Sequence, residues 1–244
     1  MIGLLFLSQA LAFDHTHARF GEFLDGAVGE RRVDYEALAK RSDTLDAYLA
    51  EVAAVDASGF TDDQQLALYV NAYNAYTLRL ILDERPLKSI FDLDANKVWD
   101  TRKYRVAGGE LTLNQMEHEH VRKLGDGRIH AVLNCAAKGC PPLRPNPFVA
   151  TDTDGQLTAG ARGWAATNAY RLEASTLHLS QLFDWYAGDF AHDNQGDLAG
   201  LDDKGENAVW FLAKFLPADE AKRLQKGDLT VAWTPYDWAL NGDD

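Results

Sequence analysis

The sequence predicts an α+β fold, a single domain in which helices pack on a small, mostly antiparallel sheet. Apolar residues recur at helical spacing over several segments, whereas the strand-length runs are few and do not alternate regularly with helices. No repeat, low-complexity tract or linker divides the chain. With 46% hydrophobic residues among 244, the chain can bury a full core.

Two helical segments are expected in the first third of the chain. A capping-box spacing joins Thr61 to Gln64 at the start of the second segment, which is apolar on nearly all sides and stops before Pro86. We therefore expect this second helix at the centre of the fold. The first segment, residues 33–56, has helical spacing of apolar side chains at Leu38, Leu45, Tyr48, Leu49 and Val52.

The middle of the chain contains hairpin and strand signals. Alternating side chains on either side of Gly108-Gly109 predict a hairpin over residues 104–114. Asn114 is then expected to cap a short helix that Gly125 closes. The β-branched and apolar run RIHAVLNC, residues 128–135, predicts a strand that ends in the Gly- and Pro-containing loop KGCPPLRPNP.

The last third of the chain is expected to add two strands and two or three helices. TLHLS predicts a strand, and Ser180 then caps a helix through LFDWYAGDF. Residues 207–225 predict one or two further helices, and LTVAW predicts a closing strand.

The net charge limits the possible partners, and the first residues indicate an exported protein. The formal net charge of −13 and the absence of a basic run argue against nucleic-acid or anionic-membrane partners. The opening MIGLLFLSQALA ends in the small-x-small pattern that signal peptidase cuts, although no Lys or Arg precedes the apolar run. We predict a signal peptide over residues 1–12, a domain over residues 13–244, a periplasmic or secreted location and no integral membrane segment. The alternative is a buried first helix in a cytosolic protein.

The two cysteines, Cys135 and Cys140, are expected to pair in an oxidising compartment. Their C-x4-C spacing differs from the C-x-x-C of thioredoxin-type motifs, and a structural disulfide, a catalytic thiol, and redox or metal use all remain open. In a regular strand His130 would face away from Cys135. Contact would need Cys135 to turn where the strand ends, Cys140 to fold back, or another histidine such as His118 or His120.

The central helix and the helix after the hairpin carry further polar candidates. Asn71 and Asn74 share one helix face, where they either brace neighbouring backbone or contact substrate or an oxyanion. Glu117 either completes a capping box with Asn114 or serves as a site acid. The stretch EHEH lacks the i, i+4 histidine pair of a zinc helix, so we predict no metal and no cofactor.

Two later stretches, LFDWYAGDF and TPYDWALN, join aspartates to aromatic residues. Such stretches form either a well-bonded core or a pocket wall that includes Trp238. Asp189 or Asp237 could orient an imidazole, as the third member of a catalytic triad does.

Five motifs, in this order, resemble those of the DUF547 family: VNAYNAYTLRLIL, LTLNQMEHEHVR, RIHAVLNCAAKGCPPL, FDWYAGDF and YDWALN. The resemblance covers about residues 30–241. The family is named for its unknown function, so the resemblance implies a shared site but no reaction. The residues that it implies for this site are Asn71, Asn74, Glu117, Arg128, His130, Cys135, Cys140, Asp237 and Trp238.

The leading hypothesis is an exported thiol-dependent hydrolase or acyl or peptidyl transferase. Cys135 or Cys140 would be the nucleophile and His130 the base, with Glu117 or Asp237 as the orienting acid. Either asparagine of the central helix would then stabilise the oxyanion. The alternatives are a non-enzymatic binding or scaffold domain for a small-molecule or peptide ligand, with the cysteines oxidised, and a thiol-disulfide redox partner.

Overall fold

Helices make up most of the fold, and the computed structural model describes residues 12–226 and 228–242. The α-helices are α1 Ala18–Leu24, α2 Tyr35–Ala39, α3 Ser42–Ala54, α4 Asp62–Glu84, α5 Val98–Thr101, α6 Leu113–Gln115, α7 Thr153–Ala165, α8 Gln181–Trp185, α9 Ala187–Phe190, α10 Asp203–Ala213 and α11 Ala218–Gln225. The strands are β1 Tyr104–Val106, β2 Gly109–Leu111, β3 Tyr170–Glu173, β4 Thr176–Ser180 and β5 Thr230–Thr234.

Within the residues that the structure describes, the strands form two small sheets. β1 and β2 are the predicted hairpin, with Val106 opposite Gly109. In the second sheet, of order β3-β4-β5, β4 pairs antiparallel with β3 and parallel with β5. Helices with a small, mostly antiparallel sheet are the α+β architecture that the sequence predicts, and this prediction is confirmed.

The long helix α4 lies at the centre of the larger hydrophobic core. Thr61 accepts a hydrogen bond from the Gln64 backbone while the Gln64 side chain accepts one from the Thr61 backbone, so both halves of the capping box form. Most side chains from Leu66 to Ile81 are buried, on all sides of the helix. The predicted start, end and central position of this helix are confirmed.

The single helical segment expected over residues 33–56 is divided into α2 and α3. Asp34 caps α2, and the chain leaves helical geometry at Arg41 before α3 begins. All five apolar side chains of the pattern are buried, so the pattern located the buried face but did not reveal the break.

The helix after the hairpin begins two residues earlier than predicted. Thr112 caps it in a capping box with Gln115, whereas Asn114 lies inside the helix and donates to Asp100. Glu117 is therefore not the return half of a capping box. The chain continues as a π-helical turn, Met116–Val121, and then as a 3-10 turn that ends at Gly125 in left-handed geometry, as predicted.

The strand predicted for residues 128–135 is wrong, because Gly127–Ala131 forms a 3-10 turn capped by Asp126. The backbone groups that follow this turn form hydrogen bonds with a side chain and not with a neighbouring strand. Asn74 donates to the Val132 carbonyl at 2.9 Å and accepts from the Asn134 N–H at 2.9 Å. A buried amide thus satisfies the groups that a neighbouring strand would have satisfied.

In the last third of the chain the two predicted strands form, together with β3, which the sequence did not predict. Ser180 ends β4 and caps α8, but the helix expected through LFDWYAGDF breaks at Tyr186 into α8 and α9. The two further helices and the closing strand are α10, α11 and β5.

Among the described residues the core consists of two hydrophobic clusters, and the segment that follows Asp126 lies where they meet. Ile129 and Val132 belong to the cluster around α4, whereas Ala131 belongs to the cluster around Trp164. A Cβ at Gly160 of α7 would lie 2.7 Å from Val132 Cγ1. Close packing from both sides therefore holds the segment that contains His130 and Cys135.

The predicted signal peptide lies outside the described residues except for Ala12, and it stays a prediction. Within the described part of the chain, no helix has the length and apolar character needed to cross a bilayer.

The N-terminal helix is anchored by a buried histidine. His17 Nδ1 lies 2.8 Å from the Tyr48 hydroxyl, and His17 Nε2 is buried without a hydrogen-bond partner among the described residues. Burial, opposed in part by the Asp14 carboxylate, lowers the pKa of His17 from 6.5 to about 4. The folded state therefore favours the neutral ring.

This histidine should make the fold sensitive to moderate acid. Between pH 6.5 and pH 4 the unfolded chain binds a proton at His17 that the folded chain does not, so stability falls as the pH falls. The expected loss is about 2–3 kcal/mol by pH 4. Urea unfolding at several pH values should show a shallower pH dependence for His17→Gln than for wild type. The exposed control His192→Gln should keep the wild-type slope, and equal slopes for all three proteins would contradict the prediction.

Candidate functional site

A pocket of about 250 Å³ opens beside the central helix and brings together residues from six parts of the chain. Four of its aromatic residues, here called the aromatic wall, are Phe91, Trp99, Trp185 and Trp238. Three more, here called the tyrosine group, are Tyr73, Tyr186 and Tyr236. The other lining residues are Asn96, Asp100, Asn114, Glu117, His130, Leu133, Cys135, Cys140, Pro141 and Leu182.

The two cysteines form a disulfide that lines this pocket. The Tyr236 hydroxyl lies 3.0 Å from Cys135 Sγ and 3.1 Å from Cys140 Sγ. Since neither sulfur carries a hydrogen, the hydroxyl is the donor. The Cys135 N–H also donates to Cys140 Sγ at 2.9 Å. Both sulfurs thus accept hydrogen bonds from groups of the protein, and the disulfide is confirmed as a feature of the fold.

The C-terminal motif YDWALN holds the cysteine loop in place. The backbone N–H groups of Lys138 and Gly139 donate to the carbonyls of Ala239 and Asp237 at 2.7 and 2.8 Å. The buried Asn134 accepts from Asn241 Nδ2 at 3.2 Å and donates to the Pro141 carbonyl at 2.9 Å. These bonds fix the loop against the end of the chain.

Removing the disulfide should cost modest stability, because the loop that it closes is short. We expect the double variant Cys135→Ala/Cys140→Ala to lose about 2 kcal/mol of unfolding free energy by the chain-entropy argument. Urea unfolding followed by circular dichroism measures this loss. Wild type under reductant opens the same bond without a sequence change and should show a similar loss. No loss in either sample would contradict the prediction.

His130 is held by a charged network behind the pocket. Its side chain is 3% exposed, and its Nε2 lies 2.7 Å from Asp189 Oδ2. Arg122 binds the same carboxylate through Nε and Nη2 at 2.7 and 2.8 Å, and its Nη1 lies 2.9 Å from His118 Nδ1. The Tyr186 ring lies 4.1 Å from the His130 ring, centroid to centroid.

This network fixes the proton on one nitrogen of His130. Burial alone would raise the pKa of Asp189, but hydrogen bonds from His130 and Arg122 outweigh it and hold that pKa well below its ordinary value. Because the ionised carboxylate only accepts, His130 must donate from Nε2. In the neutral ring Nδ1 is then the proton acceptor, and it has no hydrogen-bond partner among the described residues. The imidazole is positioned to act as a base or to accept a hydrogen bond from a ligand.

Glu117 reaches the pocket from the π-helical turn, a geometry that often occurs at functional sites. The residue is 7% exposed, and no lysine or arginine within the described residues forms an ion pair with it. Burial, together with the Glu117 carboxylate, raises the pKa values of Tyr73 and Tyr186 well above 10.0. The carboxylate lines the same pocket as the tyrosine group.

Several residues that the sequence suggested for the site lie elsewhere. The Asn71 side chain brackets the backbone of Phe148, donating at 2.7 Å and accepting at 2.8 Å, and Asn74 brackets Val132 and Asn134 in the same way. Both amides are committed to backbone and neither lines the pocket. The structure thus places them as braces of the fold, not beside the disulfide.

Arg128 and Asp237 also point away from the pocket. Arg128 pairs with Asp126 at 2.6 Å and with Asp154 at 2.8 Å. Asp237 lines a separate cavity near Asn168. The structure brings Glu117, His130, both cysteines and Trp238 together, and it places Asp189, not Glu117 or Asp237, against the imidazole.

Residues 57–164 match the family model described as "Protein of unknown function, DUF547". The chain therefore contains a DUF547 domain over these residues. No curated protein matched the chain, and no solved structure matched it.

The pocket extends beyond the matched DUF547 region. Glu117, His130 and the disulfide lie within residues 57–164, as does Trp99. Asp189, which orients His130, and the later aromatic residues of the pocket come from the chain after residue 164. The DUF547 region therefore supplies the polar residues, and the following segment supplies their orienting carboxylate and part of the aromatic lining.

Sequence reasoning missed several contributors to this site, of which four matter most for its geometry. Arg122 binds Asp189, and Asn134 connects the cysteine loop to the C-terminal segment. Phe91 and Trp99 line the pocket and contact Trp238, with ring centroids 4.5 and 5.8 Å away. Arg122 carried a usable signal, because it follows EHEH by two positions within a quoted motif. Nothing in the spacing of Phe91 and Trp99 connects them to Trp238.

Proposed function

We propose that this DUF547 chain is an exported ligand-binding domain whose pocket holds a small molecule or a peptide side chain beside a structural disulfide. One observation carries the proposal: seven aromatic rings surround a buried Glu117 and an oriented His130 in a single cavity. Ligand sites are typically apolar cavities with a few fixed polar groups that set orientation.

The bonded cysteines favour binding over thiol catalysis in the oxidised protein. A nucleophilic thiolate needs a free sulfur, and both sulfurs are joined to each other. The disulfide instead holds the loop that forms one side of the pocket. The remaining groups are suited to holding a ligand by ring stacking, by the Glu117 carboxylate and by His130 Nδ1.

Export is part of this proposal, supported by the leader-like start and by a disulfide, which persists in oxidising compartments. Expression of the full chain in a Gram-negative host, followed by fractionation and intact-mass measurement, tests it. A periplasmic species that begins at Phe13 is the expected result. A full-length cytoplasmic species with reduced cysteines would contradict it.

Binding is tested by calorimetry with ligands found in a thermal-shift screen of amines, sugars, amino acids and short peptides. We expect at least one ligand whose affinity falls at least tenfold in Trp238→Ala. The control Trp210→Ala replaces a half-buried tryptophan of α10 outside the pocket and should bind as wild type does. A ligand that binds both variants equally would place the site elsewhere.

A thiol-dependent hydrolase or transferase is the second candidate, favoured by the fact that both sulfurs line the same pocket as His130. An external dithiol would supply two electrons and two protons. One of its thiolates attacks a protein sulfur and breaks the disulfide, and its second thiol then releases Cys135 and Cys140 as free thiols. The Nδ1 of His130 could then accept a proton from one of them.

Alkylation with and without prior dithiol treatment distinguishes the candidates. If the reduced protein alkylates rapidly at one cysteine and hydrolyses model thioesters or amides, the thiol candidate is supported. If the reduced protein has no turnover and His130→Ala changes ligand affinity only, the binding domain is supported. Equilibration with glutathione buffers at a potential in the periplasmic range would instead support a redox partner.

A further inference from the structure

We infer that the ligand of this pocket carries an ammonium group, held against the aromatic rings with Glu117 as its counter-charge. The inference rests on the proposed binding function and specifies its ligand class. It is carried by the combination of a buried carboxylate and seven aromatic rings in one cavity.

The charges that line the pocket favour a cation. Glu117 and Asp100 both line it, whereas none of the described lining residues is a lysine or an arginine. The nearest cationic groups behind it are already used, because Arg122 is bidentate to Asp189, and His130 donates to the same carboxylate. An anionic ligand would meet two carboxylates with no free cation to offset them.

Glu117 forms no ion pair with a lysine or an arginine among the described residues, and Arg122, which interacts with its charge, is bidentate to Asp189. A buried carboxylate is stable when it is paired or hydrogen-bonded. The Tyr186 hydroxyl can donate to Glu117, whereas the Tyr236 hydroxyl already donates to the disulfide sulfurs. A ligand ammonium would complete the pair.

The aromatic residues present the surface that such a cation prefers. Trp238 lies 4.5 Å from Phe91 and 6.0 Å from Trp185, centroid to centroid, with both pairs stacked. Trp185 is 46% exposed, an unusual fraction for a large apolar side chain. Ring faces attract alkylammonium groups, and tryptophan does so most strongly. An exposed tryptophan and a buried carboxylate thus line the same pocket, and they would supply the attractive ring face and the counter-charge.

The probes are tetramethylammonium, choline and benzyltrimethylammonium, with N-acetyl-lysine methylamide as a peptide-like source of the same charge. The control ligand is 3,3-dimethyl-1-butanol, the uncharged carbon isostere of choline. Calorimetry on the oxidised mature protein at low ionic strength should show that at least one ammonium probe binds. If the natural ligand is a small quaternary ammonium compound, choline should bind at least tenfold more tightly than its isostere. If the ammonium group belongs to a peptide, the lysine derivative should bind more tightly than the quaternary probes.

The variants separate charge from shape. Glu117→Gln keeps the shape of the side chain and should lower the affinity for the best ammonium probe at least tenfold. The control Glu110→Gln removes an exposed carboxylate of β2 and should leave this affinity unchanged. Trp238→Leu should lower the affinity for the same probe by a similar factor. Circular dichroism and a mass check for the disulfide confirm that each variant is folded before titration.

The outcomes also distinguish this inference from the function on which it rests. If a neutral ligand from the wider screen binds in a Trp238-dependent way and no ammonium probe does, the inference of an ammonium ligand is wrong. The proposed binding function would still be supported. If the isostere binds as tightly as choline, or if Glu117→Gln binds the probe as wild type does, Glu117 is not the counter-charge of a bound ammonium group. If neither ammonium probes nor any other ligand binds, both proposals fail.

Discussion

Replacing Asn74 with leucine should lower the free energy of unfolding by about 2–5 kcal/mol, because it leaves two buried backbone groups without partners. Asn74 is 6% exposed and pairs with both the Val132 carbonyl and the Asn134 N–H. Leucine has a similar volume but neither donates nor accepts a hydrogen bond. Urea unfolding of the purified variant measures the loss.

The same substitution should also weaken ligand binding, since Asn74 holds the segment between His130 and Cys135. The matched control is Asn71→Leu, which breaks the same pair of bonds on the backbone of Phe148, away from the pocket. Both variants should lose comparable stability, but only Asn74→Leu should lose affinity at a temperature where both are fully folded. Equal affinity losses would show that general destabilisation, not the local brace, is responsible.

Local signals were enough to locate most elements of the fold. The capping box at Thr61 and the glycine pair after Val106 act within a few residues of the chain, and both appear in the structure as predicted. Such features need no distant partner, so their sequence pattern carries nearly all the information. The break between α2 and α3 was missed because buried apolar spacing continues across it.

The segment around His130 could not be predicted from its own residues. An apolar, β-branched run is consistent with any buried conformation, and the 3-10 turn depends on contacts from elsewhere. Asn74 supplies the hydrogen bonds, and a Cβ at Gly127 would lie 2.8 Å from the Asp189 carbonyl oxygen, so the chain there is pressed against α9. The conformation is thus decided by side chains more than 50 positions away in sequence.

The candidate site was predictable in its residue types but not in its tertiary arrangement. Glu117, His130 and the cysteines were singled out because their residue types suit chemistry, and they do line one pocket. Asp189 and Asp237 could not be ranked, since both sit beside aromatic residues in similar motifs. Only the tertiary arrangement places Asp189 against His130 and Asp237 in another cavity.

The second large effect is expected at Trp164, which lies at the centre of the cluster that supports Asp189. Its ring is fully buried and lies 4.7 Å from Phe183 and 6.2 Å from Phe190, centroid to centroid. Trp164→Ala should lower the free energy of unfolding by about 3–5 kcal/mol, because it removes a large side chain from a close-packed core. Urea unfolding measures this loss, and Trp210→Ala, at the edge of the same cluster where the side chain is only half-buried, should lose much less.

Trp164→Phe separates the loss of volume from the loss of the indole nitrogen. Trp164 Nε1 is buried without a hydrogen-bond partner among the described residues, so phenylalanine removes an unsatisfied donor while it leaves a smaller cavity than alanine does. Its cost should therefore be well below that of alanine. Because Phe190 contacts both Trp164 and His130, the alanine variant should also disturb the imidazole, visible as a shifted His130 resonance by NMR. An unchanged resonance would show that α9 holds Asp189 and His130 independently of the core beneath it.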